Sequence, residues 1–349
     1  MKKMLALLLA LVMVLSLAAC ASSHFFPIFT FFLCACASSQ PAAASTETAE
    51  TTETTEPAAE ESAEAPAESG KTYTVGVCQL VQHEALDAAT QGFIDALKEE
   101  LGDAVTVDVQ NASGDSVNCG TIVNGFVSKG VDLIMANATP ALTAAVSATA
   151  DIPILGTSIT AYGVALDIDD FNGTVGGNVS GTSDLADLQA QAQMILDWFP
   201  ETKTVGLLFC SAEPNSRYQI DEVRKALEAQ GVTCEEFAFT DSNDVSSVTQ
   251  KAADFSDVVY IPTDNTAASN TEAIANVLIP AGVPAICGEE GLCRGCGVAT
   301  LSISYYDLGV TTGKMAAKIL KGEADISTMP VEYTDATPKY NASVCEQLG

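Results

Sequence analysis

From residue 71 onward, short apolar runs alternate with longer stretches whose apolar positions recur every three or four residues. Thr74 to Leu80 reads as a buried strand. Leu86 to Leu101 follows with Leu86, Ala89, Phe93, Ile94, Leu97 and Leu101 on one stripe, the period of an amphipathic helix. The same grammar gives strands at 105–109, 131–136 and 152–156 and helices at 117–128 and 140–149. Strands alternating with helices imply βαβ units and a parallel sheet. The order then recurs, with strands at 204–209, 232–239, 258–261 and 283–287 and helices at 215–230, 244–254 and 267–280. Thr204-Val-Gly repeats Thr74-Val-Gly at an offset of 130, and Gly282-Val-Pro-Ala285 repeats Asp151-Ile-Pro-Ile154 at 131. Two nearly equal offsets predict an α/β protein of two similar lobes, each a parallel sheet flanked by helices, joined by hinge crossovers.

The first 70 residues follow a different pattern. Met1-Lys2-Lys3 is a short basic segment, and Met4 to Leu17 is apolar but for Ser16, too short for a spanning helix and suited to an export signal over 1–19. It ends in Leu17-Ala18-Ala19-Cys20, which resembles a bacterial lipobox and makes Cys20 the expected lipidation site. A second, poorer lipobox at Leu33-Cys34-Ala35-Cys36 follows an aromatic insertion, leaving Cys36 as the alternative. Residues 20–70 read as a lipid anchor and linker. The stretch 40–70 holds eight Glu, no aromatic and no base, and cannot bury enough apolar surface to offset chain entropy.

Composition narrows the function classes. The 349 residues carry 15 Lys and Arg against 45 Asp and Glu, a formal charge of −30, which argues against nucleic acid as a partner. Two histidines, His24 and His83, make a multi-His metal site an unpromising reading. No nucleophile–base constellation, phosphate-binding loop or dinucleotide fingerprint occurs, so the sequence gives no positive sign of an enzyme and implies no cofactor. Cys287, Cys293 and Cys296 cluster around a C-x-x-C; in an exported protein a disulfide ranks ahead of free thiols, and a metal last.

The segments 75–89, Asn178 to Asp184, Ala212 to Ser216, Pro262 to Asn265 and Tyr305 to Gly309 fall in the order found in ABC-transporter substrate-binding lipoproteins of the tryptophan/tyrosine-binding type, which the chain resembles over 72 to about 335. The resemblance implies a periplasmic-binding-protein type I fold and a small-molecule ligand, with aromatic amino acids as the expected class. It also implies a membrane permease as partner, a monomer, and an extracytoplasmic location at the cell membrane. A ligand-sensing lipoprotein serving a membrane receptor, or a binder of a sugar or nucleoside, remains the alternative. By the same resemblance 298–325 return to the first lobe, giving 71–182 plus 298–325 as one lobe and 183–297 plus 326–349 as the other.

Polar residues gather in the loops after the strands, where open α/β sheets bind ligands. Thr139, Asn215 and Ser216 sit at helix entries, which suit a carboxylate or act simply as caps. Glu213 and Asp264 are candidate ammonium partners, with Asn265 beside Asp264; Gln79 and His83 follow the first strand. These four acidic and strand-end candidates rest chiefly on the resemblance. Tyr162, Tyr305 and Tyr306 are candidates for packing a ligand side chain or the hinge, and Trp198 for the core.

Overall fold

The computed structural model describes residues 71–349. The signal segment, Cys20, Cys36 and the Glu-rich linker lie outside the described residues.

The first lobe begins with β1 (Tyr73–Gln79), α1 (Glu84–Leu101), β2 (Val105–Asn111), α2 (Ser116–Lys129), β3 (Leu133–Asn137), α3 (Thr139–Ala148), β4 (Ile154–Ile159), the short α4 (Tyr162–Ala165) and β5 (Val179–Ser183). The chain then crosses to α5 (Leu188–Trp198), β6 (Thr204–Cys210), α6 (Pro214–Glu228), β7 (Thr233–Phe239), α7 (Val245–Phe255) and β8 (Val258–Ile261). The second lobe continues with α8 (Asn265–Ala268), α9 (Thr271–Ala281), β9 (Ala285–Cys287), α10 (Glu290–Cys296) and β10 (Ala299–Ser302). Finally come α11 (Tyr305–Lys321), β11 (Glu332–Tyr333), β12 (Thr337–Tyr340) and α12 (Ala342–Leu348).

Two six-stranded sheets result, ordered β11-β5-β4-β3-β1-β2 and β12-β10-β9-β8-β6-β7. The five strands β2-β1-β3-β4-β5 of one correspond to β7-β6-β8-β9-β10 of the other, the repeat that the sequence offsets predict. Every strand pair is parallel except β10 with β12. The central strands β3, β4 and β8 are buried along their whole length, as expected where helices cover both faces of a parallel sheet.

The lobe boundaries differ from those the sequence suggested. Strand β10 pairs with β9, so 299–302 belong to the second sheet, and the crossing falls at 303–304 rather than near 298. The returning element is α11, whose Met315, Ala316 and Leu320 pack with Val75, Phe93 and Leu97 of the first lobe. Residues 326–333 also stay with the first lobe: Met329 and Val331 are buried there and β11 extends the first sheet through β5. A third crossing at 334–336 leads to β12 and α12, where Val344 packs in the second lobe. The apolar run 298–303 is short and could not be divided between lobes by pattern alone. Trp198 is also not core: it is 42% exposed at the end of α5.

Candidate functional site

The carboxyl ends of both sheets face one cleft. On the first lobe, Gln79 at the end of β1 is buried and fully paired: its Nε2 donates to Asp87 Oδ1 (2.7 Å) and Val81 O (2.9 Å), and its Oε1 accepts from Thr90 Oγ1 (2.7 Å). Asn137, at the end of β3, donates to Leu86 O and Thr90 Oγ1. These bonds fix the entry of α1 and with it His83, the residue preceding the helix. Ala138 and Ser158, at the ends of β3 and β4, hold φ values of 90° and 55°. Non-glycine residues in that region cost energy and persist where the surroundings over-determine them, a frequent property of binding sites.

On the second lobe, Glu213 precedes α6 and its carboxylate organises α8. Oε2 accepts from Asn265 N (3.0 Å) and Asn265 Nδ2 (2.7 Å), and Oε1 from Thr266 N and Thr266 Oγ1. Asp264 caps α8 by accepting from Ala267 N (2.8 Å), and its other oxygen accepts from Cys210 N (2.6 Å). Glu289 caps α10 through Gly291 N and Leu292 N.

The lobes are in contact. His83 Nε2 lies 3.2 Å from Asn265 Oδ1, Thr160 Oγ1 lies 3.5 Å from Thr263 Oγ1, and Glu84 pairs with Arg294. At the crossings, Tyr305 donates its hydroxyl to Asp184 Oδ2 at 2.8 Å, tying the first interlobe segment to the second. Between the lobes lies a cavity of about 10 Å³ bordered by His83, Ser158, Asp184, Asn215, Asp264 and Glu289, no larger than a single water requires. A second cavity of about 480 Å³ lies beside it, between Leu80, Val81 and Pro140 of the first lobe and Ala212 and Glu213 of the second. Asn265 borders both.

The small cavity concentrates unpartnered polarity. His83 Nδ1, Ser158 Oγ, Asp184 Oδ1 and Asn215 Oδ1 are all buried there without a hydrogen-bond partner. Buried polar atoms are paired in the great majority of cases, so four orphans at one cavity mark a place built for a polar ligand. Its electrostatics are one-sided. Burial raises the Asp184 carboxyl, pushes Glu289 up to about 7 and, with Glu213 adding to the effect, pushes Asp264 up to about 8. Burial also lowers the His83 imidazole. Among the described residues no Lys or Arg borders the cavity.

Of the residues singled out in the sequence, His83, Asn215, Asp264 and Asn265 border this cavity, and Glu213 borders the larger one. Gln79, Thr139 and Ser216 are buried and border neither. Thr139 is the first residue of α3 and Ala138 holds the cap position. Asn215 presents an oxygen to the cavity, because its Nδ2 donates to Thr263 O (3.1 Å); that suits a donor on the ligand, not a carboxylate. Both Asp264 oxygens are engaged by backbone N–H groups. Tyr305, a candidate for the ligand side chain or the hinge, borders the small cavity too, and Asp184, Ser158, Thr160 and Glu289 are the additions. Tyr162 is core, its hydroxyl donating to Gly156 O and Thr182 O, and Tyr306 is half-exposed. The eight described cysteines are free thiols, so the disulfide expected among Cys287, Cys293 and Cys296 is not formed; all three sit in the apolar core of the second lobe as small hydrophobes.

Two like α/β lobes joined by three crossings, with a cleft at the carboxyl ends of both sheets, define a two-lobed ligand-binding protein. Residues 74–349 match the family described as ABC transporter substrate binding protein, and the chain belongs to that family. It is a family of solute-binding proteins, not of enzymes. A tyrosine-binding protein of Clostridioides difficile is 33% identical over 276 residues, 77% of this chain and 79% of that protein. A Streptococcus pneumonia ABC domain in complex with L-Trp superposes with a TM-score of 0.76 at 33% identity, over 80% of this chain and 95% of that one. The ligand-free, open structure of a substrate-binding protein with adhesive properties from Clostridium difficile gives 0.61 at 34% identity over the same shares.

Proposed function

We propose that this protein is the extracytoplasmic binding component of an ABC importer and captures an aromatic amino acid between its lobes. The observation that carries the reading is the convergence of four unpartnered buried polar atoms, contributed by both lobes and the crossing between them, on one cavity. An amino acid supplies what that cavity lacks. Its ammonium answers the acceptors Asp184 Oδ1 and Asn215 Oδ1, and its carboxylate answers the hydroxyl of Ser158. Asp184, in place of Asp264, is then the ionic partner of the ammonium. The relatives support the class of ligand: one is named for tyrosine and another holds L-Trp.

Ligand sites commonly occupy about 300–1,000 Å³, far more than the small cavity, so capture requires the lobes to open and reclose. At nearly equal identity the chain superposes better on the L-Trp complex than on the open, ligand-free relative, which supports the closed arrangement as the capturing one. The test is native mass spectrometry of the purified protein followed by amino-acid exchange. Retained tyrosine or tryptophan supports the reading; a retained sugar or nucleoside overturns it.

The anchoring reading is lipidation at Cys20, with the acidic segment as a tether. No described helix is long and apolar enough to cross a membrane. Cys20→Ser is expected to move the protein from the membrane fraction to the soluble one. Release by Cys36→Ser alone would assign the anchor to the second lipobox.

A further inference from the structure

The contact that joins the lobes at His83 has a defined polarity. Asn265 Nδ2 donates to Glu213 Oε2 at 2.7 Å, and that oxygen also accepts the Asn265 backbone N–H at 3.0 Å. A carboxylate oxygen in this position accepts, so the amide NH₂ faces Glu213 and Asn265 Oδ1 faces the imidazole. An amide oxygen also only accepts, so the proton of the His83 ring sits on Nε2. In the neutral ring the other nitrogen is then bare. His83 Nδ1 is therefore an acceptor, and it is one of the buried atoms at the small cavity with no partner.

Two further acceptors face the same space. Asn215 has its NH₂ turned to Thr263 O, which leaves Oδ1 inward. Asp184 has Oδ2 engaged by Tyr305 and Oδ1 free. We infer that the site selects a primary ammonium through three acceptors, His83 Nδ1, Asn215 Oδ1 and Asp184 Oδ1, and that Glu213 and Asn265 are positioning residues that set the His83 tautomer. The inference deepens the amino-acid reading above and rests on it for the remainder of the ligand. It has a consequence for order of events. His83 belongs to the first lobe and Glu213 and Asn265 to the second, so the imidazole is committed as an acceptor only when the lobes meet. A primary ammonium has three N–H groups for three acceptors. A secondary one has two and leaves a buried acceptor unpaired.

The experiment is ¹⁵N NMR of the imidazole nitrogens in the full chain, which has only His24 and His83; His24→Gln removes the other signal. With tyrosine bound, His83 is expected to show a bare Nδ1 and a protonated Nε2. Asn265→Ala is expected to give a mixed tautomer. In calorimetry, N-methyltyrosine is expected to bind at least about tenfold more weakly than tyrosine. That penalty should persist in His83→Asn, whose amide oxygen can stand where Nδ1 stood, and shrink in His83→Gln. A proton on Nδ1, an imidazolium, or equal binding of tyrosine and N-methyltyrosine overturns the inference and leaves the amino-acid reading standing. Tyramine keeps the ammonium and lacks the carboxylate. Binding of tyramine without tyrosine or tryptophan overturns the amino-acid reading and supports the ammonium site, and binding of none of the three overturns both.

Discussion

Asp184 and Asp264 are two buried carboxylates at one cavity, and their hydrogen bonds assign them different work. Asp264 accepts two backbone N–H groups and caps a helix; Asp184 accepts one phenol and keeps an oxygen bare. Losing a hydrogen bond to a charged group costs about 1.5–3 kcal/mol, so Asp184→Ala should weaken tyrosine or tryptophan binding roughly tenfold to a hundredfold with a smaller change in melting temperature. Asp264→Ala should do the reverse, lowering stability by about 1–2 kcal/mol as a lost cap does. Calorimetry and thermal melts on both variants separate the two roles; a larger affinity loss in Asp264→Ala would reverse the assignment. The acids also set a pH dependence. Asp264 titrates at about 8 instead of 3.8 and Glu289 at about 7 instead of 4.5. Between the ordinary and raised values the folded chain holds protons that the unfolded chain has released. This contribution is complete below about pH 4 and is lost as pH rises through 7 and 8. The ligand-free protein should therefore melt at a higher temperature near pH 5 than near pH 8.5. A melting temperature that rises over that interval would contradict the buried, uncompensated state of these acids.

At the scale of elements, α1 and α11 carry the site into the fold, since His83 precedes one and Tyr305 opens the other. They pack through glycines. A methyl group at Gly92 would stand 2.1 Å from Tyr306 O, and one at Gly309 would stand 2.0 Å from Ala89 O. Overpacking of this kind costs about 1–3 kcal/mol, and here the neighbours are backbone that cannot rotate away. Gly92→Ala or Gly309→Ala should lower the melting temperature and weaken ligand binding together; unchanged affinity would mean that the helix pair does not position the cleft. The elements themselves were legible in the sequence because parallel strands with both faces covered read as unbroken apolar runs, and because the second lobe repeats the first at a fixed offset. The loops were legible as a set. Which of their residues turn into the cavity was not. Ser158 turns inward through a left-handed backbone at a register shift in β4, and Asp184 turns inward because a tyrosine 121 residues away holds it. Neither leaves a periodic mark. Gln79 looked like a ligand group by position, yet its amide is consumed within its own lobe. The failure at 298–303 has the same origin, since a four-residue apolar strand carries no sign of which sheet it joins.

At the scale of the whole molecule, the two lobes meet through few bonds: His83 with Asn265, Thr160 with Thr263, and the exposed Glu84–Arg294 pair, which by itself contributes little. Under the proposed capture, contacts this few leave the balance between open and closed lobes to the ligand. Small-angle scattering should give a larger radius of gyration for the ligand-free protein than for the protein saturated with tyrosine. Equal radii would mean that the lobes do not move on binding. The cavity, which presents unpartnered acceptors from His83, Asp184 and Asn215 and among the described residues borders no Lys or Arg, favours ligands that bring an ammonium. Capture of an aromatic amino acid in this cleft is read out by isothermal titration calorimetry of the purified protein against tyrosine, tryptophan, a hexose and a nucleoside. Saturable one-to-one binding of tyrosine or tryptophan is expected, diminished in Asp184→Ala, with no heat from the hexose or the nucleoside. Strong binding of the hexose or nucleoside with none from either amino acid would contradict it.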